Sequence, residues 1–218
     1  GKVMRKIKAK TNFSRHFQES MWLYVITLVC LFTGIVLGIY TVKYMGDMER
    51  QDLINYFLSF ANNLDSVEVD NKAILIETIK SNLPIIIGLW ILGLTMIGLP
   101  AILIIDIIKG FSLGFSLSTI FYGLSYKGIW FTLLGVLPQN IIYVPCIIVS
   151  SVLAMRLSLT KLKDRVNKQV NYHKGYLAEY SITFLIITLI MILGFFYEAY
   201  ITPKALQSIA MLSGSVYA

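Results

Sequence analysis

The feature that most constrains this sequence is its long apolar runs, which hold almost no charged side chains. The first run, residues 21–42, contains none at all. Backbone amides inside a bilayer cannot bond to water, so a chain that crosses it forms helices of about twenty residues. Charged residues make up only 14% of the chain, whereas a soluble domain typically carries about a quarter. We therefore predict an all-α, polytopic integral membrane protein.

The apolar runs divide into five predicted spans within a single membrane domain of residues 1–218. Charged residues and aromatic side chains at the ends of the runs set their bounds. The predicted spans are residues 21–42, 84–108, 110–126, 128–155 and 180–201. The third is short for a span, because Lys109 and Lys127 lie on either side of it. We expect it to cross the membrane, and the alternative is a re-entrant pair with a neighbouring segment.

Charge on the connecting segments predicts the orientation of the chain. Residues 1–20 hold six basic side chains and one acid, and residues 156–179 hold six and two. Residues 43–82 hold seven acids and four bases. Because basic segments stay in the cytoplasm, we predict an inside N-terminus and an outside C-terminus. The net charge of +7 then reflects this bias, and no nucleic-acid partner is expected.

The basic inner loop, residues 156–179, has a second expected role. Its apolar residues alternate with lysine and arginine, so it is expected to form a helix that lies against anionic membrane lipids. The alternative is that its charge only sets the orientation of the chain.

The outer loop, residues 43–82, is predicted to form helices of its own. Apolar side chains recur at helical spacing in its first half. This stripe consists of Leu53, Tyr56, Phe57, Phe60 and Leu64. Asp70 is placed to cap a second, short helix over residues 71–80. The stripe either roofs the bundle or docks a partner protein. The expected partner contacts are Tyr56, Phe57 and Phe60.

Four polar residues within the predicted spans are candidates for function, since such groups are costly at membrane depth. They are Asp106, Lys109, Gln139 and Asn140. Asp106 and Lys109 stand three residues apart, so they are expected to pair on one helix face, or else to serve an ion or proton pathway. Gln139 and Asn140 follow Pro138, which frees a backbone carbonyl. They are expected to bond such groups or a neighbouring helix, and the alternative is a substrate site.

Small residues at a spacing of four mark two helix-packing surfaces. One is formed by Gly34 and Gly38, and the other by Gly110 and Gly114. In an apolar helix this spacing lets two backbones approach closely. The contact is predicted either within the fold or between two copies of the chain, which would form a homodimer.

The sequence carries no enzyme signature. It has no Walker loop and no His/Cys metal cluster. His16 and His173 lie in basic flanks and are expected to be solvated, and Glu198 is expected to reach the outer interface. We expect no catalytic residue, no cofactor and no metal site.

Several short motifs in the central part of the chain together resemble one protein family. They are Gly98-Leu99-Pro100, Lys109-Gly110-Phe111, Lys127-Gly128 and Leu137-Pro138-Gln139-Asn140. This combination resembles the stage II sporulation protein M family, and the order of basic start, span, acidic outer loop and basic inner loop is similar as well. The Lys-Gly-Phe and Leu-Pro-Gln-Asn pieces carry most of the resemblance.

The resemblance implies a role in engulfment during endospore formation. A protein of this family forms a complex with stage II sporulation proteins D and P, which degrade peptidoglycan. This chain would be the scaffold that assembles and localises them, in the bacterial mother-cell membrane that engulfs the forespore. The alternative from the residues is a transporter or channel subunit, whose polar path would be lined by Asp106, Lys109, Gln139 and Asn140.

Overall fold

Five helices in the described part of the chain are long and apolar enough to cross a membrane. The structure, a computed structural model, describes residues 15–16, 18–63, 68–124, 128–168 and 175–214. The first four spans are α1 (Met21–Lys43), α3 (Asn71–Gly93), α4 (Gly98–Leu124) and α6 (Leu137–Asn167). The fifth, Tyr176–Ser208, combines α7 (Tyr176–Phe196), a π-helical turn (Tyr197–Ile201) and the start of α8 (Thr202–Gly214). The predicted all-α membrane bundle with five spans is confirmed.

Two short helices connect the spans at one end of the bundle. They are α2 (Asp47–Asn63) and α5 (Gly128–Gly135). The basic segment 1–14, the loop segment 169–174 with His173, and the side chain of Phe60 lie outside the described residues.

The bounds of the second, third and fourth spans differ from the prediction. The chain does not break at Lys109, which lies inside the continuous helix α4. The break falls instead between Gly93 and Gly98. A charge marks a helix end only where the bundle offers it no partner, and Lys109 bonds to Asn82 of the neighbouring helix. The predicted re-entrant alternative is therefore wrong, as is the start of a span at residue 84.

The start of α3 follows the predicted cap but not the predicted length. The Asp70 carboxylate accepts hydrogen bonds from the backbone N–H groups of Lys72 and Ala73, both at 3.1 Å. The helix then continues to Gly93 as the second span, with Pro84 inside it. Proline removes one backbone hydrogen bond, which the packed bundle tolerates. Thus the predicted surface helix over residues 71–80 is the first half of a span.

Contacts between distant segments define one end of the bundle, called here the inner end. The Arg156 guanidinium bonds to Glu19 at 2.9 Å, just before α1. The Lys161 ammonium donates to the Leu94 carbonyl oxygen at 2.9 Å, in the turn between α3 and α4. These segments are the ones with basic charge, so the charge pattern predicts that the inner end faces the cytoplasm. The opposite end, with α2 and α5, is called the outer end.

The closest helix contact is the glycine seam, formed by Gly34 and Gly38 of α1 and Gly110 and Gly114 of α4. A methyl group added to any of the four would collide with backbone of the facing helix, at Ile107, Phe111, Leu31 and Ile35 respectively. Contacting residue numbers rise together, so the two helices run parallel. Both glycine motifs are thus used within one chain, in accord with the first of the two predicted alternatives.

The helix α6 lies at the centre of the bundle. Its most apolar 18-residue window is 56% buried, against 22–33% for the other spans. In the inner half, α3, α4 and α6 contribute Leu89, Ile102 and Met155 to one core cluster, in which all three side chains are fully buried. The inner half therefore has an apolar core, although Asp106, Ser151 and Ser158 are also buried in this half.

Candidate functional site

The outer helix α2 is held in place by one arginine. The Arg50 guanidinium donates to three carbonyl oxygens at the end of α1, those of Val42 (3.1 Å), Lys43 (2.6 Å) and Met45 (3.0 Å). Carbonyls at a helix C-terminus lack helical partners and carry partial negative charge, so a cation there is favourable. The same guanidinium stacks 5.3 Å from the Tyr122 ring centre of α4. One side chain thus fixes α2 against two spans.

The predicted aromatic stripe of α2 is divided between two faces of the helix. Phe57 points into the bundle, where its ring meets the Phe131 ring edge-to-face at 5.3 Å and covers Gly123. Tyr56 points away and is 79% exposed, as is Met48 two turns earlier. Consecutive residues on a helix are about 100° apart, which separates these two aromatics. Phe57 roofs its own bundle, and Tyr56 is available on the outer surface.

A polar cavity of about 210 Å³ lies between α3, α4, α6 and the fifth span. Its lining residues are Asn82, Lys109, Ser112, Leu113, Ser116, Gly135, Val136, Gln139, Asn140, Tyr143 and Glu198. At one side it reaches the turn between α5 and α6, which belongs to the outer end. At the other side it stops at Lys109 and Asn82, near the middle of their helices. Three of the four predicted intramembrane residues, Lys109, Gln139 and Asn140, meet in this polar cavity.

Two hydrogen bonds order the charged groups of the polar cavity. The Lys109 ammonium donates to the Asn82 side-chain oxygen at 3.3 Å and lies 5.8 Å from the Tyr143 ring centre. The Tyr143 hydroxyl donates to the Glu198 carboxylate at 2.8 Å. Lys109 and Glu198 are not among the ion pairs that the described residues form. Tyr143 therefore stands between a cation and an anion that share one cavity without direct contact.

The amide side chains of the polar cavity all bond in the same way. Gln139 donates to the Gly135 carbonyl oxygen and Asn140 to the Val136 carbonyl oxygen, each four residues earlier. The Asn82 amide does the same to Thr78 at 3.0 Å. The predicted bonding of Gln139 and Asn140 to nearby backbone is thus observed. The NH₂ groups thus serve the backbone, while the amide oxygens of Asn82 and Gln139 accept from Lys109 (3.3 Å) and Thr202 (3.4 Å).

The chain matches the family described as stage II sporulation protein M over residues 27–203. It belongs to the stage II sporulation protein M family. Comparisons with curated proteins and with solved structures gave no match. In this stage II sporulation M protein, the Lys-Gly-Phe and Leu-Pro-Gln-Asn motifs come together in space: Lys109 and the Gln139–Asn140 pair line one cavity, while Gly110 belongs to the glycine seam. It is a sporulation-related, multi-pass membrane protein.

Sequence reasoning missed Glu198, which lies in the polar cavity and not at the interface. It is carried by the π-helical turn Tyr197–Ile201, in which the Thr202 N–H bonds to the Tyr197 carbonyl five residues earlier. Pro203 explains the turn, because its ring clashes with the carbonyl of the residue four earlier, Ala199, and widens the helix there. The sequence signal that could have placed Glu198 inside the bundle is its position five residues before Pro203.

The predicted pairing of Asp106 with Lys109 is wrong. Asp106 is fully buried in the seam between α4 and α6, where one carboxylate oxygen accepts a hydrogen bond from Ser151 and the other has no partner. Lys109 instead donates to Asn82 of α3 and lines the polar cavity. The two side chains are one turn apart on α4, but they bond to different neighbouring helices. Asp106 does not line the predicted polar path.

His16 is half-buried at the inner end, contrary to the prediction that it is solvated. Its ring contacts the Arg156 guanidinium and meets the Tyr24 ring edge-on at 6.4 Å. Burial, and then the positive charge of Arg156, lower the pKa of His16. The hydrogen bond from Arg15 lowers the pKa of Glu19, which binds the same guanidinium. This cluster ties the segment before α1 to α6.

The described residues contain no group of three or more His, Cys, Asp or Glu side chains that could hold a metal ion. The two ionisable side chains of the polar cavity are one lysine and one glutamate, which is not a metal-ligand set. The cavity is suited to hydrogen bonding and charge recognition.

Proposed function

We propose that this protein is a membrane scaffold that assembles and localises extracytoplasmic peptidoglycan hydrolases for engulfment during endospore formation. Its partners are stage II sporulation proteins D and P, and it performs no catalysis itself. Its membrane is that of the mother cell around the forespore. The observation that carries the proposal is α2, an outer helix locked to the bundle that still presents an exposed face. A scaffold needs such a surface, because docking on a fixed helix costs little ordering of the binding surface.

The exposed face of α2 has the chemistry of a protein-docking surface. Met48 and Tyr56 stand eight residues apart on the same side, each 79% exposed. Asp52 and Asn55 lie between them and are also exposed. Tyrosine and methionine are enriched at protein interfaces, and the acids of this segment favour a partner surface with basic side chains. The partner surface is therefore expected to offer an apolar pocket bordered by lysine or arginine.

Co-purification in mild detergent with proteins D and P of the same organism tests this proposal. Wild type is compared with a Met48→Ser, Tyr56→Ser double variant. The matched control is Tyr44→Ser, because Tyr44 is 72% exposed at the same end but lies outside α2. We expect wild type and the control to retain both hydrolases, whether each binds directly or one binds through the other. The double variant should lose both. Failure of wild type to retain either hydrolase would rule the scaffold out.

A second candidate, a transporter or channel subunit, draws support from the polar cavity. Polar groups near the middle of the membrane are typical of substrate sites in transporters. Between Lys109 and the inner end, however, the apolar side chains of Leu89, Ile102 and Met155 are fully buried, and the polar pair Asp106–Ser151 buried there does not line the cavity. Flux of ions or small solutes in liposomes, compared between wild type and Lys109→Gln, separates the candidates. Flux that depends on Lys109 would favour transport, and equal, background flux favours the scaffold.

A further inference from the structure

The polar cavity places a lysine and a glutamate in one partly open site at membrane depth. Lys109 lies about 16 Å along α4 from its inner end, well inside the span Gly98–Leu124. Charged side chains at this depth cost several kcal/mol unless they are paired or wetted. A lysine and a glutamate with only a structural role would remove that cost by pairing directly. Here Tyr143 stands between them, bonded to Glu198 and under the Lys109 ammonium.

Each charge keeps bonding capacity that faces the polar cavity. An ammonium has three donors, and Lys109 gives one of them to Asn82. A carboxylate accepts about four hydrogen bonds, and Tyr143 supplies one to Glu198. The Asn140 side chain also lines the cavity, and its NH₂ group donates to the backbone. The cavity thus combines one cationic group with an anionic group and a further amide oxygen.

The fold also departs from regular helix geometry at this place. The π-helical turn Tyr197–Ile201 includes Glu198, and single π-turns are frequent at functional sites. Ser112 and Ser116 extend the polar lining along α4 from Lys109 toward the outer end. A purely structural charge pair needs neither a polar approach nor an empty volume beside it.

We infer that the polar cavity is a binding site for a small zwitterion that enters from the outer end. The anionic group of the ligand bonds to Lys109, and its ammonium bonds to Glu198 and the Asn140 side-chain oxygen. The cavity of about 210 Å³ equals the liquid volume of about seven waters at ~30 Å³ each, which suits a group of the size of β-alanine or phosphoethanolamine. This inference is independent of the scaffold role.

The zwitterion has two possible sources, a dissolved solute or the headgroup of a lipid. Binding is measured as a saturable rise in thermal stability of the full-length protein in mild detergent. β-Alanine and O-phosphoethanolamine represent the solute, and phosphatidylethanolamine added to the detergent micelles represents the headgroup. Two singly charged compounds serve as controls: ethanolamine carries only the cation, and glycerol phosphate carries only the anion. Saturation by the soluble zwitterions identifies a solute site, and saturation only by phosphatidylethanolamine identifies a headgroup site.

Variants connect the binding to the two charges. Lys109→Gln and Glu198→Gln are each expected to weaken the binding of the zwitterion at least tenfold. Lys109→Arg keeps the charge and should retain binding, which shows that the altered cavity still folds. Lys204→Gln is the matched control, since Lys204 is exposed on α8 outside the cavity. Absence of saturable binding to wild type overturns the inference. So does equal binding of the singly charged compounds, or binding that neither glutamine variant weakens.

Discussion

Alanine in the glycine seam should destabilise the bundle, whereas alanine at a glycine outside it should not. Gly34 is the test position, because a methyl group there collides with the carbonyl oxygen of Ile107 on α4. Gly88, inside α3, is the control, because its nearest neighbour would be the Ile105 Cδ1 atom at 4.0 Å. Both are helical glycines within spans, so the two substitutions differ chiefly in the space that receives the methyl group.

The magnitude follows from two opposing terms. Overpacking a tight contact costs about 1–3 kcal/mol, and a backbone carbonyl cannot rotate away, so about 2–3 kcal/mol applies at Gly34. Helix propensity returns up to about 1 kcal/mol when alanine replaces glycine. We expect Gly34→Ala to lose about 1–2 kcal/mol of the free energy of unfolding and Gly88→Ala to gain up to about 1 kcal/mol.

The assay is equilibrium unfolding in mixed micelles of mild detergent and dodecyl sulfate, followed by circular dichroism. The double variant Gly34→Ala, Gly110→Ala should cost less than the sum of its parts, since helices that have already separated meet the second methyl group more easily. A Gly34→Ala variant that is as stable as Gly88→Ala would refute the close backbone contact between α1 and α4.

Three further predictions concern other buried polar contacts. Arg50→Gln removes the charge that caps α1, so amide hydrogen exchange in residues 47–63 should become faster. The free energy of local opening should fall by about 1.5–3 kcal/mol. Unchanged exchange would contradict the anchoring of α2 by Arg50. The lowered pKa of His16 means that the unfolded chain binds more protons. The free energy of unfolding should therefore fall as the pH drops below about 6.5, and should fall less in His16→Asn. Parallel pH profiles would show that His16 is not buried beside Arg156. Asp106→Asn keeps an acceptor for Ser151 and should change the free energy of unfolding by less than about 1 kcal/mol. Asp106→Leu leaves that hydroxyl unpaired and should cost about 1–3 kcal/mol. Equal losses of stability in thermal unfolding would refute the hydrogen bond between Ser151 and Asp106.

The helical class and the number of spans could be read from the sequence, but the span bounds could not. Long uncharged runs predict membrane-spanning helices, because unpaired backbone groups are costly in lipid. The true break, residues 94–97, carries no charge and no proline, so its composition does not differ from that of a span. Lys109 carries a charge, which predicts a boundary, but it bonds to Asn82 inside the bundle. Tertiary partners decide such cases, and a single sequence does not show them.

The candidate site could be predicted as residues but not as an arrangement. Lys109, Gln139 and Asn140 stand out because they are polar within apolar runs, and they do meet in one cavity. Helix rotation was not predictable, so Asp106 was paired with Lys109 although the two face different neighbours. For the same reason, the sequence predicts Tyr56 and Phe57 in one stripe, although they face different directions. Adjacent residues on a helix point in different directions, and only the packing of α2 shows which one faces the bundle.

If the exposed face of α2 docks peptidoglycan hydrolases outside the membrane, a partner lies against Tyr56 in the cell. A photo-crosslinking amino acid at position 56 in sporulating cells tests this, with position 166 as the control. Val166 is 72% exposed in the inner-end extension of α6. We expect crosslinks from position 56 to stage II sporulation protein D or P and none from position 166. Crosslinks from position 166 only, or from neither position to either hydrolase, would contradict this docking.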